Sequence, residues 1–374
     1  MKNALRPLWL MDTPNHSGMS FATRNLAAGM VKIGLPPEIF ALADGENAND
    51  FAQVGAPVRV QPHFGAAWRG GPALRTAQEL GINIIHALSP PLAKRAERMA
   101  AKLHCPFLVT ANRLEESELK SLAGFSGQGI VAVSRAIRER IANVAGVSQN
   151  RIRVVPNGLD LNRMPKPNFA DVTEIGSPWR TPVVGTLGHL SEKKGQRVFL
   201  QAVHILLERG LDAEFVILGD GPDRGTLRML ADELNITKRV TFTPQTVSGQ
   251  LSQLDILVEP SLQEGLGISV MQAMATGVPV VANGVGGLYD LIEDGVTGTL
   301  VKAGNPESLA DAIWCLLHSP DARLEMAKQA RLMIEKEFSA DTVAKKLVAY
   351  YSDCMEAFHG WNSRESSRIG VARP

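Results

Sequence analysis

Cysteine is scarce in this 374-residue sequence: Cys105, Cys315 and Cys354 are odd in number and far apart. That spacing excludes a disulfide framework and a metal-ligand cluster, and it points to buried thiols in a reducing compartment. Long hydrophobic runs are lacking too, which excludes a transmembrane helix. The apolar stretch Leu8–Met11 is stopped by Asp12, far short of a signal peptide, so a cytoplasmic location is expected. Neither G-x-x-x-x-G-K-[ST] nor G-x-G-x-x-G occurs, which removes the common kinase and dehydrogenase readings. No internal repeat is visible.

What is present suits a globular α/β protein. Hydrophobic residues make up 45% and charged residues 21%, enough core for two domains of ordinary size. The net charge of +1 hides an imbalance. Residues 1–165 hold 19 Lys and Arg against 12 Asp and Glu, a balance of +7, and the remainder carries −6. A basic first half suggests an anionic acceptor or peripheral contact with an anionic membrane surface. A chance surface imbalance explains the charge equally well, and nothing points to nucleic acid.

The stretch from Glu259 to Val301 is the most informative. Ile256-Leu257-Val258 reads as a buried strand that stops at Pro260. The slender loop Glu264-Gly265-Leu266-Gly267 follows, then a helix over Ser269–Thr276 closed by Gly277 and Pro279. A second strand, Val278–Ala282, leads to Gly284, Gly286 and Gly287. A glycine loop feeding a helix start offers free N–H groups to an anion, here from Gly265 to Ile268. Glu264 and Gln272, eight positions apart, face one crevice if the helix begins between them.

Strand and helix alternate elsewhere as well. Strands are expected at Arg6–Met11, Glu38–Leu42, Val58–Val60, Ile82–Ala87, Phe107–Thr110, Ile130–Val133, Ile152–Val155, Thr181–Leu187, Glu214–Leu218 and Val240–Thr243. Between the first strand and a helix at Phe21–Ile33 lies the loop Asp12–Ser20, with Gly18 and the polar His16. The basic helix Leu92–Leu103 is a solvated face, or one that meets a binding partner or a membrane. Three prolines mark a linker over 164–180.

The 259–301 segment resembles the signature of retaining glycosyltransferases of the GT-B fold, the large family 4 group: EGLG, then MQAMATGVPVVA, then GVGG. Pro156-Asn157-Gly158-Leu159-Asp160 and Gly219-Asp220-Gly221-Pro222 match that pattern too. The resemblance implies an α/β GT-B fold, two Rossmann-like domains facing a cleft. It divides the chain into an acceptor domain over 1–165, completed by the C-terminal helix 340–358, a donor domain over 178–339, and a mobile tail over 359–374. It also implies a hexosyltransferase that moves a sugar from a nucleotide-diphosphate donor to a glycan, lipid-linked or small-molecule acceptor. Assembly of lipopolysaccharide, capsule or another cell-surface glycan at the inner membrane face is the expected setting.

The site residues follow from the same resemblance. Glu264 holds the donor sugar and Gln272 the ribose; Lys194 and His189, beside Gly188, grip the diphosphate. Gln245 contacts the base, Gly18 lies near the phosphates, and Asn112 stands on the acceptor side. Catalytic roles fall to Glu264, Lys194 and Asn112. No cofactor or metal is expected, since no Asp-x-Asp pair occurs. Four positions depart from the family pattern: Gln272 for Glu, Asn112 for His, His189 for Arg, and Met19 for the second glycine after Gly18. Those departures leave open an alternative, a non-catalytic binding or scaffold protein with a degenerate site.

Overall fold

Pro7–Met11 is apolar and buried at all 5 positions, as a parallel strand covered on both faces must be. It is β1 of a seven-stranded sheet with β2 (Glu38–Ala41), β3 (Val58–Val60), β4 (Ile84–Ala87), β5 (Phe107–Ala111), β6 (Gly129–Ala132) and β7 (Ile152–Val154). The order is β3-β2-β1-β4-β5-β6-β7, and every pair is parallel. A second sheet holds β8 (Val183–Leu187), β9 (Glu214–Leu218), β10 (Val240–Thr243), β11 (Ile256–Glu259), β12 (Val280–Asn283) and β13 (Thr299–Val301). Its order is β10-β9-β8-β11-β12-β13, again all parallel. The computed structural model describes residues 4–15, 17–64, 71–169, 172, 180–244 and 251–369, with backbone alone for 361–369.

The chain forms two units, 1–160 with 338–374, and 161–337. Each is a Rossmann-like α/β layer with its own core. The crossing into the second unit thus comes earlier than the linker read over 164–180, part of which lies outside the described residues. The return crossing is pinned by backbone: Leu159 N–H donates to Phe338 O and Ala340 N–H to Leu159 O, both at 2.8 Å.

The last helix, Ala340–Ile369, belongs to the first unit's core through Val343, Ala344, Leu347 and Tyr351. Trp9 Nε1–H donates to Tyr351 Oη at 2.8 Å, and Tyr351 Oη lies 2.7 Å from His86 Nδ1. The other imidazole nitrogen, Nε2, lies 2.7 Å from Thr110 Oγ1. A neutral imidazole donates from one ring nitrogen and accepts at the other, so His86 bridges Tyr351 and Thr110 with one bond of each kind. Burial holds His86 neutral, with its pKa lowered to about 3.

Three readings are corrected. The first helix spans Gly18–Lys32, so it starts inside the stretch read as loop; the Ser17 hydroxyl accepts the Ser20 N–H and caps it. The final helix runs past Phe358 into the stretch read as tail. That segment lacks an apolar period, but it has no proline before Pro374, and up to Ile369 its residues other than Gly360 tolerate a helix. Cys105 and Cys354 are buried, whereas Cys315 is exposed on the outer face of the helix Pro306–Leu317.

Candidate active site

Where the strand order of an open parallel sheet reverses, the loops at the carboxyl ends of two strands diverge and leave a crevice for ligands. In the second unit this point falls between β8 and β11. The loop after β8 carries Lys194, and the loop after β11 carries Glu264.

Lys194 closes a short 3-10 turn, Glu192–Lys194, followed by Gly195 at φ 66°. A Cβ on Gly195 would stand 2.0 Å from the Pro260 carbonyl oxygen, so only glycine lets the two loops close together. Leu262 N–H donates to Lys193 O at 2.8 Å and fixes their register. Lys194 Nζ then donates to Glu264 Oε2 at 2.5 Å and lies 3.9 Å from Glu259 Oε1. Glu259, the last residue of β11, is 2% exposed. The hydroxyls of Ser261 and Ser269 donate to its two oxygens, each at 2.5 Å.

Two carboxylates therefore flank one ammonium. Burial works against the Lys194 charge, but Glu259 and Glu264 outweigh it and hold the amine above its usual range. Burial raises the Glu259 carboxyl; Lys194 opposes that, and the neighbouring Glu264 adds to it. Behind this group the helix Ile268–Thr276 begins at Gly267, in the left-handed region at φ 99° and with no side-chain cap. Its first N–H groups have no partner within the helix, so its positive end faces the loop. Gly287 seals the floor: its N–H donates to Glu264 O at 3.0 Å, and a Cβ there would meet Gly265 O at 2.0 Å.

The structure brings together Lys194, Glu264, Gly265, Leu266, Gly267 and Ile268. The Gly265 N–H is already given to Glu264 Oε1 at 3.0 Å. Leu266 is buried, part of the packing rather than the rim. Gln272 sits half-buried on the second turn of the helix, its carbonyl accepting from Thr276 Oγ1 at 3.0 Å. Gly188 ends the strand side of the Lys194 loop, with its N–H bonded to Leu218 O at 2.9 Å. His189 is exposed, and its carbonyl accepts from the buried Gln196 amide at 3.1 Å. Gln245 and His16 lie outside the described residues. Gly18 and Asn112 belong to the first unit. Gly18 opens its first helix; Asn112 follows β5, with a buried Oδ1 that has no hydrogen-bond partner.

Sequence reasoning missed Glu259, Ser261 and Ser269. The available signal was an acidic residue ending the apolar run Ile256-Leu257-Val258 directly before Pro260. It also missed a cavity of about 220 Å³ in the first unit. This cavity lies at that sheet's own reversal point, between β1 and β4. Asp12, Ser20, Thr23, Ser89, Arg113 and Glu118 supply polar lining. Among the described residues no group of three or more His, Cys, Asp or Glu is placed to hold a metal ion. No helix among them is long and apolar enough to cross a membrane.

The chain resembles known proteins in both of its units. A family model described as glycosyl transferases group 1 matches residues 170–333, and one described as glycosyltransferase family 4 matches residues 16–163. The D-inositol 3-phosphate glycosyltransferase of Corynebacterium urealyticum is 30% identical over 394 residues, which span 92% of this chain and 92% of that protein. The 2-deoxystreptamine glucosyltransferase of Streptomyces kanamyceticus is 27% identical over 88% of this chain and 78% of its own length. Among solved structures, Anabaena HepE in complex with UDP-glucose superposes with a TM-score of 0.79 at 21% identity, covering 93% of this chain and all (100%) of that one.

Proposed function

This chain belongs to the family 4 glycosyltransferases, and on that premise we propose that it moves a hexose from a UDP-sugar to a small hydroxyl-bearing acceptor with retention of the anomeric configuration. The carrying observation is the Lys194–Glu264 pair at 2.5 Å on the reversal point of the second sheet. A nucleotide diphosphate arriving there meets an ammonium held charged and the positive end of the helix Ile268–Thr276. As the acceptor oxygen bonds the anomeric carbon and the sugar–phosphate bond breaks, negative charge grows on the leaving diphosphate. Its departing oxygen takes the acceptor's proton while Lys194 stabilises the charge. Glu264 then exchanges part of its bond to Lys194 for the donor sugar's hydroxyls. Gln272 donates to and accepts from the ribose diol, with one negative charge fewer beside the diphosphate than a glutamate would bring. Asn112 hydrogen-bonds on the acceptor side without acting as a base. The choice of UDP follows HepE, whose complexes hold UDP and UDP-glucose.

The role in lipopolysaccharide, capsule or other cell-surface glycan assembly rests on the +7 balance of residues 1–165 and on how common such roles are in the family. Relatives named for D-inositol 3-phosphate and 2-deoxystreptamine favour a small cyclitol acceptor instead. Transfer is expected to need no added divalent cation and to survive EDTA. The test of mechanism is proton NMR of UDP-glucose turnover. Retention gives the α-glucosyl product first, and a β-product formed first excludes it.

A further inference from the structure

The cavity of the first unit has a charge pattern opposite to that of the sequence around it. Residues 1–165 are basic overall, yet among the described residues the charged groups lining this cavity are Asp12, Glu118 and Arg113. The guanidinium of Arg113 is engaged by Glu118, 3.5 Å away. Among the described residues the Asp12 side chain accepts one hydrogen bond, from Ser89 Oγ to its Oδ2 at 3.2 Å, and its other oxygen is open to a ligand. The two carboxylates sense each other: burial, Glu115 and Asp12 all push Glu118 toward its protonated form, against Arg113. Thr23 and Ser89, both buried, line the same cavity at the point where the order of the sheet reverses. At about 220 Å³ the space falls below that of a drug-sized pocket and suits one ring rather than an oligosaccharide.

We propose that this cavity takes the acceptor, and that the acceptor is a single hydroxyl-rich ring, uncharged or amine-bearing, rather than a phosphorylated one. The proposal rests on the reading of the chain as a sugar transferase, because only that reaction requires an acceptor. Ring hydroxyls donate to Asp12 and to Ser89 Oγ, whose own proton is given to Asp12, and accept from Thr23, and an ammonium finds two carboxylates. A phosphate finds the same two carboxylates and a guanidinium already partnered. The relative that acts on D-inositol 3-phosphate and the one that acts on 2-deoxystreptamine thus mark the two sides of the choice.

The test is calorimetric titration of the full chain, with and without saturating UDP, using myo-inositol, 2-deoxystreptamine and myo-inositol 3-phosphate. The expected result is that at least one unphosphorylated ring binds at least about tenfold more tightly than the phosphate. In Asp12→Asn the preference for 2-deoxystreptamine over the phosphate narrows by about tenfold. Tighter binding of the phosphorylated ring, no binding of any ring in either condition, or an unchanged preference in Asp12→Asn overturns the proposal. UDP titrated alone reports on the donor reading separately. If rings bind and UDP does not, the donor reading fails; if UDP binds and no ring does, the acceptor proposal fails.

Discussion

Lys194 stands between a carboxylate that cannot leave and one that can. Glu259 is buried and tied to two serine hydroxyls, whereas Glu264 lies at the rim of the loop. Removing the amine in Lys194→Ala strands Glu259 without its countercharge, so the variant loses stability by about 1–3 kcal/mol as well as affinity for donor. Adding Glu259→Gln removes the stranded charge and restores part of that loss. A double-mutant cycle in urea checks this, and strictly additive effects would contradict the coupling. The thiols give a second prediction at this scale. Burial pushes Cys105 and Cys354 up to about 12, and Cys315 is exposed. A chromogenic disulfide reagent should therefore titrate one thiol in the native protein and three after unfolding. Lys194 and Glu264 were legible in the sequence because their neighbours are glycines at motif spacing. Glu259 was not: its partners Ser261 and Ser269 are two and ten positions away and meet it only once β11 and the following helix are packed.

The final helix is held at its buried face by Tyr351, which links Trp9 and His86. Tyr351→Phe leaves the indole N–H and His86 Nδ1 unpaired in the core, at a cost of about 1–3 kcal/mol. The same relay sets a pH dependence. His86 titrates near 6.5 when unfolded and about 3 when folded, so the unfolded chain binds the extra proton between those values. The stabilisation from keeping it neutral is present above about pH 6.5 and is lost progressively as the pH falls toward 3. Melting temperatures from pH 7 down to 4 should fall less steeply in His86→Gln than in the wild type, and equal slopes would exclude the effect. The strands β1 to β12 were readable from short apolar runs, with ends displaced by a residue or two, whereas β13 (Thr299–Val301), a three-residue strand after a glycine-rich turn, was not. The helices Ala48–Gln53 and Gly71–Glu79 were not, since they are short and bury one and two residues respectively. The first-unit cavity escaped notice for a different reason: Asp12, Ser89 and Arg113 come from three separate strand ends, and only the sheet order makes them neighbours.

At the scale of the whole molecule, the chain leaves the first unit at Asp160 and re-enters it at Phe338, so that unit is discontinuous in sequence. Deleting the chain from Ala340 onward removes Val343, Leu347 and Tyr351 from its core. The truncated protein should lose one of two proteolysis-resistant fragments, the one from the first unit, and keep the other. The measurement that bears most directly on sugar transfer is a thermal-shift series with UDP, GDP, ADP and UDP-glucose on the wild type, Lys194→Ala and Glu264→Ala. A donor site at the second sheet's reversal point predicts that uridine ligands at about 100 times Kd stabilise the wild type by about 2.7 kcal/mol. Lys194→Ala should abolish that shift, and Glu264→Ala should reduce it for UDP-glucose more than for UDP. No shift with any nucleotide, or an undiminished shift in Lys194→Ala, would contradict the assignment and favour a non-catalytic binding protein.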